Sequence, residues 1–391
     1  GVPIQVDHIT MVDENELEKR LGLQDYWSYV TSTMGNGTGY INVNSGNLVY
    51  QKTDFANTAP LLVSVMRRSF NAQAKSESGL GVGWDFGFNT NILKEFGTDA
   101  MGNRTTMAII LKDGDGTIHR FEKESSGTGE EKYVSPEGVF ITLEEEGGNF
   151  KATRSDDIVY TFNRSMMIES FEEPNGNKLL FEYDERGRLV KVIHNLYLEE
   201  GMVEEEQQYV SFEYGDAPHN LDKIIKANNV FGSENGVPVQ QTYFYDYYDD
   251  QTKDDFGMLK SVYTSVERPL KVLNIAEDGT ETITEESETT TMLESYQYEY
   301  VRDDAQNKKL TKLTIQTPSN TSANAGDMKS DVIELDDAQR AVNYTNANGD
   351  TSALAYTMLD ENRQQTTVTN TVDGSGAGST SYITDLSNHG V

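Results

Sequence analysis

Residues 181–193 read Phe-Glu-Tyr-Asp-Glu-Arg-Gly-Arg-Leu-Val-Lys-Val-Ile, and three degraded copies of this stretch follow later in the chain. Tyr183, Tyr214 and Tyr245 mark equal steps along the sequence, and a longer, acidic interval separates them from the fourth copy at Tyr300. A fixed period of about 20 to 50 residues indicates a repeat architecture, in which each unit buries its apolar face only by stacking on its neighbours. We therefore expect a surface built from repeated units.

Each repeat predicts two antiparallel strands joined by a turn. Phe181 and Tyr183 alternate with polar neighbours, which is the pattern of a half-buried strand. Asp184 and Gly187 then favour a turn, because the Asp side chain can bond its own backbone and Gly accepts a positive φ. Leu189 begins the returning strand. The positions that we predict to build the repeats are Tyr183, Asp184, Gly187, Leu189, Tyr214, Leu221, Tyr245, Asp246, Tyr300 and Leu310.

This tyrosine-aspartate pattern, preceded by an Asn-Gly-Asn turn at residues 175–177, resembles the YD-repeat family, also called the Rhs-repeat family. Weaker units begin at Tyr160, Ile333 and Tyr382, and the last of them is interrupted at Val391, so we expect the chain to be a fragment. The resemblance implies an all-β fold of antiparallel strand-turn-strand repeats that forms part of a spiralling β-sheet shell. In such secreted or cell-wall-associated bacterial proteins, the shell encloses or presents a C-terminal toxin domain for delivery to competing cells. The expected partner is then the missing C-terminal part of the same protein.

Residues 36–88 independently resemble the segment that precedes the repeats in bacterial Rhs proteins. Ser45-Gly46-Asn47 predicts a hairpin turn between two short strands of this segment. A Gly-x-Gly-x-Gly-Trp run also invites comparison with a phosphate-binding loop, but such a loop must open a helix, and the alternating aromatic residues that follow favour a strand. We therefore interpret these glycines as allowing close backbone packing around the tryptophan. The predicted structural positions of the segment are Arg67, Asn71, Gly79, Gly81, Gly83 and Trp84.

One short helix is predicted at Asp13–Leu21, where Asp13 and Glu16 form a capping box and Gly22 ends the helix. The sequence thus predicts three regions. Residues 1–34 are a helical lead-in, residues 35–155 are the N-terminal Rhs-type β region, and residues 156–391 are the YD-repeat region.

Composition limits the kind of partner this chain can have. Its 391 residues include no cysteine, which excludes a disulfide framework and thiolate chemistry. With 64 acidic against 32 basic residues the net charge is −32, so we expect no binding of nucleic acid or of anionic membrane surfaces. No apolar stretch is long enough for a transmembrane helix. The resemblance implies an extracellular or cell-wall location in a bacterium.

Residues for catalysis or cofactor binding are not evident, and we expect that the chain is not an enzyme. The five histidines are far apart, and no nucleophile elbow of the Gly-x-Ser-x-Gly type occurs. The Asp-Pro dipeptide of the self-cleaving segment in full-length Rhs proteins is also absent. We expect no cofactor, and at most weak Ca²⁺ binding at the acidic loops.

A second hypothesis is a cell-surface adhesin or carbohydrate-binding module. The chain has 21 tyrosines, and the cluster at residues 243–248 could stack on the sugar rings of a cell-surface glycan. The alternative for the same residues is that they form cross-strand pairs that stabilise a sheet.

Overall fold

The computed structural model describes residues 21–58, 63–124, 132–195, 208–234, 237–267, 271–275, 281–285, 290–302, 308–319 and 328–386. This part of the chain is all-β, and its strands pair antiparallel. The expected fold class is therefore confirmed. The predicted helix at Asp13–Leu21 lies, except for its last residue, outside the described residues.

The first seven strands belong to the N-terminal segment. They are β1 (Tyr29–Met34), β2 (Gly37–Asn42), β3 (Leu48–Thr58), β4 (Val63–Asn71), β5 (Glu77–Ser78), β6 (Gly81–Val82) and β7 (Trp84–Phe86). Five of them form one antiparallel sheet in the order β1-β2-β3-β4-β7, called here the N-terminal sheet, and β5 pairs with β6. The predicted hairpin turn is confirmed, because β2 pairs with β3 and Gly46 between them has a φ of 68°.

The remaining strands form one large antiparallel sheet and a separate two-stranded hairpin. The large sheet contains β8 (Asn91–Thr98), β9 (Arg104–Lys112), β10 (Ile118–Glu124), β11 (Lys132–Val134), β12 (Ile141–Glu146), β13 (Asn149–Arg154), β14 (Val159–Phe162), β15 (Ile168–Glu172), β16 (Lys178–Tyr183), β17 (Leu189–His194), β18 (Tyr209–Tyr214), β19 (Ile224–Glu234), β20 (Val237–Tyr247) and β21 (Leu259–Glu267). After the hairpin of β22 (Lys271–Ile275) and β23 (Glu281–Glu285), it continues with β24 (Thr290–Arg302), β25 (Lys308–Pro318), β26 (Met328–Leu335), β27 (Ala341–Thr345), β28 (Thr351–Met358), β29 (Arg363–Val372) and β30 (Ser375–Asp385). Each strand pairs with its predecessor in the sheet, so the topology is a long meander.

The large sheet closes on itself near its beginning, where β8 meets the start of β15. Asn91 forms a β-bridge with Met167, and the Ile92 N–H donates to the Met166 carbonyl oxygen at 3.2 Å. Strands β8 to β15 therefore form a ring. Its apolar core consists of Ile92, Ile109, Leu111, Phe121, Tyr133, Val139, Leu143, Phe150, Ala152, Phe162 and Ile168. These side chains fill the ring, as in other small barrels.

From β16 to β29 the large sheet packs against the N-terminal sheet. One buried cluster combines Tyr50 and Trp84 of the N-terminal sheet with residues from Leu179 on β16 to Val368 on β29. Burial of this shared apolar surface is the main force that holds the two sheets together.

The hairpins of the large sheet share one five-residue turn. In eight turns of the described chain, the first N–H donates to the fifth carbonyl and the fourth N–H donates to the first carbonyl. The fourth residue always has a positive φ, as in a type I turn followed by a G1 bulge. The predicted turn at Asp184–Gly187 is one of them, with Gly187 at a φ of 77°. At three other turns a residue other than glycine occupies this position, namely Asp157, Met166 and Gln339.

A β-bulge adjoins the turn in each repeat, and it corrects the predicted register. The bulged pairs are Phe162–Ile168, Tyr183–Leu189, Tyr214–Ile224, Tyr247–Leu259, Tyr300–Leu310 and Leu335–Ala341. In the third repeat Tyr247 therefore holds the anchor position that we assigned to Tyr245. Asp246 is exposed within β20 and pairs with Ser261, and Leu221 precedes β19 instead of lying on it. Longer turns shift the pairing, so spacing alone gave the wrong partners.

At each bulge, a polar side chain donates a hydrogen bond to the backbone carbonyl of the residue that the returning strand contributes to the bulged pair. The tyrosine hydroxyls donate from Tyr183 to Ile168 (2.8 Å), Tyr214 to Leu189 (2.9 Å), Tyr247 to Ile224 (2.6 Å), Tyr298 to Leu259 (2.9 Å) and Tyr356 to Ala341 (2.7 Å). The amide of Gln339 takes the same role at Leu310 (2.9 Å). Each acceptor lies two residues before the first pair of the next ladder, so its carbonyl lies outside the backbone pairing with the next strand. The repeat tyrosines thus replace a missing ladder bond.

Candidate functional site: a buried arginine cluster

The best-defined polar site of the described chain surrounds Arg68 on β4. Alternation along β4 turns Met66, Arg68 and Phe70 toward the core, where they are 0%, 0% and 2% exposed. Arg67, which we had selected from the sequence, faces outward and is exposed. A guanidinium with no exposed surface must have its charge and its donors satisfied by the protein.

Asp54 on the neighbouring strand β3 supplies the first partner of Arg68. The guanidinium donates from Nε to Asp54 Oδ2 at 2.7 Å and from one terminal nitrogen to Oδ1 at 2.8 Å. Two tyrosines of β20 reach the same residue. The Tyr245 hydroxyl donates to Asp54 Oδ2 at 2.8 Å, and the Tyr243 hydroxyl donates to the Asp54 carbonyl at 2.9 Å. The bidentate pair therefore lies at the contact between the N-terminal sheet and the large sheet.

Glu294 on β24 supplies the second carboxylate. Its Oε2 lies 3.5 Å from a terminal nitrogen of Arg68, and the Tyr50 hydroxyl and the Asn36 N–H donate to its Oε1 at 2.6 Å and 2.9 Å. The Tyr296 hydroxyl donates to the same carboxylate and accepts a bond of 2.6 Å from Arg68. The arginine therefore connects β3 and β4 with β20 and β24.

Trp84 closes the cluster on its apolar side. Its ring lies 5.5 Å from the Arg68 guanidinium carbon, and its indole N–H donates to the Tyr298 hydroxyl at 2.9 Å. Gly83 precedes it with a φ of 75°, and a Cβ at this position would approach the Phe70 ring to 2.8 Å. This geometry agrees with our interpretation that the glycine run allows close packing around Trp84.

Burial and charge act in opposite directions on this cluster. Burial alone would lower the pKa of Arg68, but the nearby Asp54 carboxylate holds that pKa well above its ordinary value. Burial raises the pKa of Tyr50, Tyr245 and Tyr296 well above their ordinary value, with a further contribution from the adjacent carboxylates. The tyrosines therefore stay protonated and act as donors.

Further polar contacts join the N-terminal sheet to later strands. The Gly35 N–H donates to Asp331 Oδ2 at 2.9 Å, and the Gln364 amide donates to the Asn44 carbonyl at 2.9 Å. Thr366 donates to the Val43 carbonyl. Gly35 lies in the turn before β2, and Val43 and Asn44 lie in the turn after it, so β26 and β29 of the large sheet are bonded to the turns at both ends of β2.

Asn71 and Gly79, two other residues selected from the sequence, form separate junctions. Asn71 is buried, accepts from the Gly22 N–H at 2.8 Å and donates to the Asp115 carbonyl at 2.9 Å, so it joins the lead-in to the ring. The Gly79 carbonyl accepts from the Ile224 N–H at 2.7 Å. Gly81 has a φ of 93°. Neither junction is part of the arginine cluster.

The sequence contained a signal for Arg68 that the prediction missed. Arg68 stands two residues from both Met66 and Phe70, so the period of two along a strand places it with them on the apolar face and leaves Arg67 on the other face. Asp54 and Glu294 had no such signal, because each lies far from Arg68 in the sequence.

The arrangement is suited to holding two sheets together, since the donors of Arg68 are already bonded within the protein. Within the described ranges, no group of three or more His, Cys, Asp or Glu residues could hold a metal ion. In the same part of the chain, no helix is long and apolar enough to cross a membrane.

The tyrosines proposed for sugar stacking are mostly buried. Tyr243, Tyr245 and Tyr247 are 3%, 1% and 8% exposed, and their hydroxyls bond Asp54 and Ile224. Their rings therefore serve the contact between the sheets.

Comparison with known proteins places part of the chain among related sequences. Residues 38–121 match a domain of unknown function, DUF6531. A stretch of 170 residues is 24% identical to the tRNA nuclease WapA of Bacillus subtilis (strain 168) and to the tRNA3(Ser)-specific nuclease WapA of Bacillus spizizenii. This stretch covers 43% of the chain but only 6% of each relative. At a coarse level these matches support the YD-repeat resemblance.

Two solved structures resemble the fold distantly. The crystal structure of TcdB2-TccC3 superimposes on 86% of this chain and 20% of that chain, with a TM-score of 0.26 and 11% identity. The Tc holotoxin pore of Photorhabdus luminescens covers 91% of this chain and 17% of that chain, with a TM-score of 0.28 and 12% identity. At such low TM-scores the superpositions carry no argument about function.

Proposed function

We propose that this chain is a structural part of a secreted, polymorphic-toxin-type YD-repeat protein of bacteria, in which it forms a closed end of a β-shell. The shell encloses or presents a C-terminal toxin domain for delivery to competing cells. The observation that carries the proposal is the shared core between the N-terminal sheet and strands β16 to β29, with the buried Arg68 cluster at its centre.

The physical argument concerns what fills the space beside the large sheet. A long meander of hairpins has one apolar face, which must be covered. In the described chain this face is covered by the N-terminal sheet, so this segment is filled by its own sequence. A toxin domain would then lie beside a different part of the repeat sheet, and the filled segment would act as the terminal cap that repeat arrays require.

The relatives suggest where an activity would reside. WapA is named a tRNA nuclease, but the aligned stretch is 6% of its length. The net charge of −32 opposes binding of tRNA to this chain. We therefore assign any nuclease-like activity to other parts of the gene product, and we assign an extracellular or cell-wall location to the whole.

Limited proteolysis of the full gene product tests this function. We expect any toxin domain to resist trypsin when it is joined to the repeat region and to be cut when it is expressed alone. Arg68→Ala should weaken this protection, whereas Arg67→Ala, on the exposed face of the same strand, should not. Equal cleavage rates with and without the repeat region would contradict enclosure, and binding of the 391-residue chain to a glycan array would favour the adhesin hypothesis.

A further inference from the structure

A second polar site, separate from the arginine cluster, lies where the chain leaves the N-terminal sheet and enters the ring. Asp85 on β7 and Lys112 at the end of β9 form an ion pair of 2.9 Å, and their side chains are 4% and 5% exposed. Asn89, in the connection from β7 to β8, donates from its Nδ2 to Asp85 Oδ1 at 2.7 Å. A single buried carboxylate thus contacts both an amine and a carboxamide.

We propose that Lys112 and Asn89 form an intramolecular isopeptide bond, with Asp85 as the group that transfers the protons. The product is a secondary amide between Lys112 Nζ and Asn89 Cγ, and ammonia is released.

The two oxygens of Asp85 match the two proton transfers of this reaction. Oδ2 faces Lys112 Nζ, from which a proton must leave before the nitrogen can attack. Oδ1 faces Asn89 Nδ2, which must gain a proton to depart as ammonia. One side chain can therefore take the proton from the nucleophile and deliver it to the leaving group.

The burial of Asp85 works toward the protonated carboxyl that must supply a proton to the leaving group. Burial raises the pKa of Asp85 above its ordinary value, although Lys112 and Asn89 oppose the shift. Moving one proton from the ammonium to the carboxylate replaces two buried charges with two neutral groups. Oδ2 makes no hydrogen bond of good geometry despite the short ion-pair distance.

The atoms of the step balance without another reactant. The neutral Lys112 amine attacks Asn89 Cγ, and the new C–N bond forms as the Cγ–Nδ2 bond breaks. The protonated Asp85 gives its proton to Nδ2, the attacking nitrogen loses a proton to Asp85, and one molecule of ammonia leaves. No atom changes oxidation state. A cavity of about 10 Å³, lined in part by Trp84, Asp85 and Lys112, adjoins the site and is of the size that holds one small molecule such as water.

The position of the bond gives it a mechanical purpose. Asn89 lies between β7 of the N-terminal sheet and β8 of the ring, while Lys112 ends β9 and pairs with both Asn91 and Ile118. The crosslink would tie the connection between the two sheets to the ring. Like a disulfide, it would restrict the unfolded chain, but in a protein that has no cysteine.

Intact mass spectrometry of the folded and then denatured 391-residue chain tests the proposal. We expect a mass lower than the sequence mass by one ammonia, and a protease digest that contains a branched peptide with Asn89 and Lys112. Asn89→Ala keeps the Asp85–Lys112 pair and should restore the full mass, as should Lys112→Met. Lys223→Met is the matched control, because Lys223 is 7% exposed and lies 3.0 Å from Glu77, and it should keep the deficit.

Two results would overturn the proposal. One is a wild-type chain with the full sequence mass and separate Asn89 and Lys112 peptides. The other is a loss of water that persists in Asn89→Ala, which would identify an amide between Lys112 and Asp85 instead.

Discussion

Arg68 and Arg67 are adjacent in the chain and opposite in environment, which makes them a direct test of the buried cluster. Arg68→Ala would leave Asp54 and Glu294 as buried carboxylates without their cation. Removing one partner of a buried ion pair costs about 3–5 kcal/mol. We expect a loss of this size in the free energy of unfolding, measured by urea denaturation.

Arg67→Ala is the control for this experiment, since its side chain is exposed on the same strand. An exposed substitution should change stability by no more than about 0.5 kcal/mol. Equal effects of the two substitutions would show that Arg68 does not carry the contact between the sheets.

His194 gives the fold a calculable response to acid. It is 0% exposed at the end of β17, and neither ring nitrogen has a hydrogen-bond partner among the described residues. Burial lowers its pKa from 6.5 to about 4. Between these pH values the unfolded chain binds a proton at His194 that the folded chain does not, so stability falls as the pH drops from 6.5 to 4.

His194→Phe should remove this contribution, which amounts to at most about 3 kcal/mol at pH 4. The unfolding free energy of the variant, followed from pH 7 to pH 4, should have a shallower slope than that of the wild type. His219→Gln, at a half-buried histidine that packs against the Phe256 ring, is measured in parallel to show what the loss of any one imidazole does to the slope. An unchanged slope in His194→Phe would contradict the linkage.

At the scale of the element, the bulge and its tyrosine define the repeat better than the sequence spacing does. Tyr214→Phe removes one hydroxyl and leaves the Leu189 carbonyl without its bond of 2.9 Å. Loss of a partner by a largely buried carbonyl costs about 1–3 kcal/mol. We expect destabilisation in this range by thermal or urea unfolding.

Tyr209→Phe on the same strand is the matched control. Tyr209 contacts the Lys191 amine through its ring at 4.2 Å, and the described structure shows no hydrogen bond from its hydroxyl. This change should be close to neutral. If both substitutions cost the same, the hydroxyl bonds at the bulges would not be what stabilises the repeats.

The repeats also show which strand pairings could be predicted from the sequence alone and which could not. Alternation at Phe181 and Tyr183 and the Asp184–Gly187 turn predicted the first hairpin correctly, because all the information is local. The third hairpin has a longer turn, and Tyr243, Tyr245 and Tyr247 all have the right period of two. Only the pairing of Tyr247 with Leu259 decides which of them is the anchor, and pairing is not local.

The candidate site was less predictable for the same reason. Arg68 joins residues that are more than two hundred positions apart in the sequence, as its bond to Tyr296 shows. The repeat period predicts that successive strands pair into one sheet. It does not indicate which face of that sheet the N-terminal sheet covers. That information resides in the packing of the whole chain.

In the whole molecule, the N-terminal sheet and the repeats share one buried core, and we therefore expect them to unfold as one cooperative unit. The shared core spans the large sheet from β16 to β29, and the contacts from Gly35 to Asp331 and from Gln364 to Asn44 add polar bonds to β26 and β29. A sheet of this kind could not unfold at its first strands without exposing apolar surface on its later ones. The division into three regions at residues 34 and 155 stays a prediction. A single unfolding transition for the whole chain would show that these regions are not independent folding units.

The last prediction concerns calcium and the large negative charge. Acidic residues outnumber basic ones by 64 to 32, so the folded chain repels itself and any cation should stabilise it by screening. We expect Ca²⁺ to bind at most weakly at the acidic loops, to add to this ionic atmosphere and not to be needed for folding. Chelation at constant ionic strength should leave the unfolding temperature unchanged, and Ca²⁺ and Mg²⁺ at equal concentration should raise it equally. A stabilisation that is specific for Ca²⁺ and saturates, or unfolding on chelation, would require a structural site with six to eight oxygen ligands, because only such a site couples calcium binding to folding.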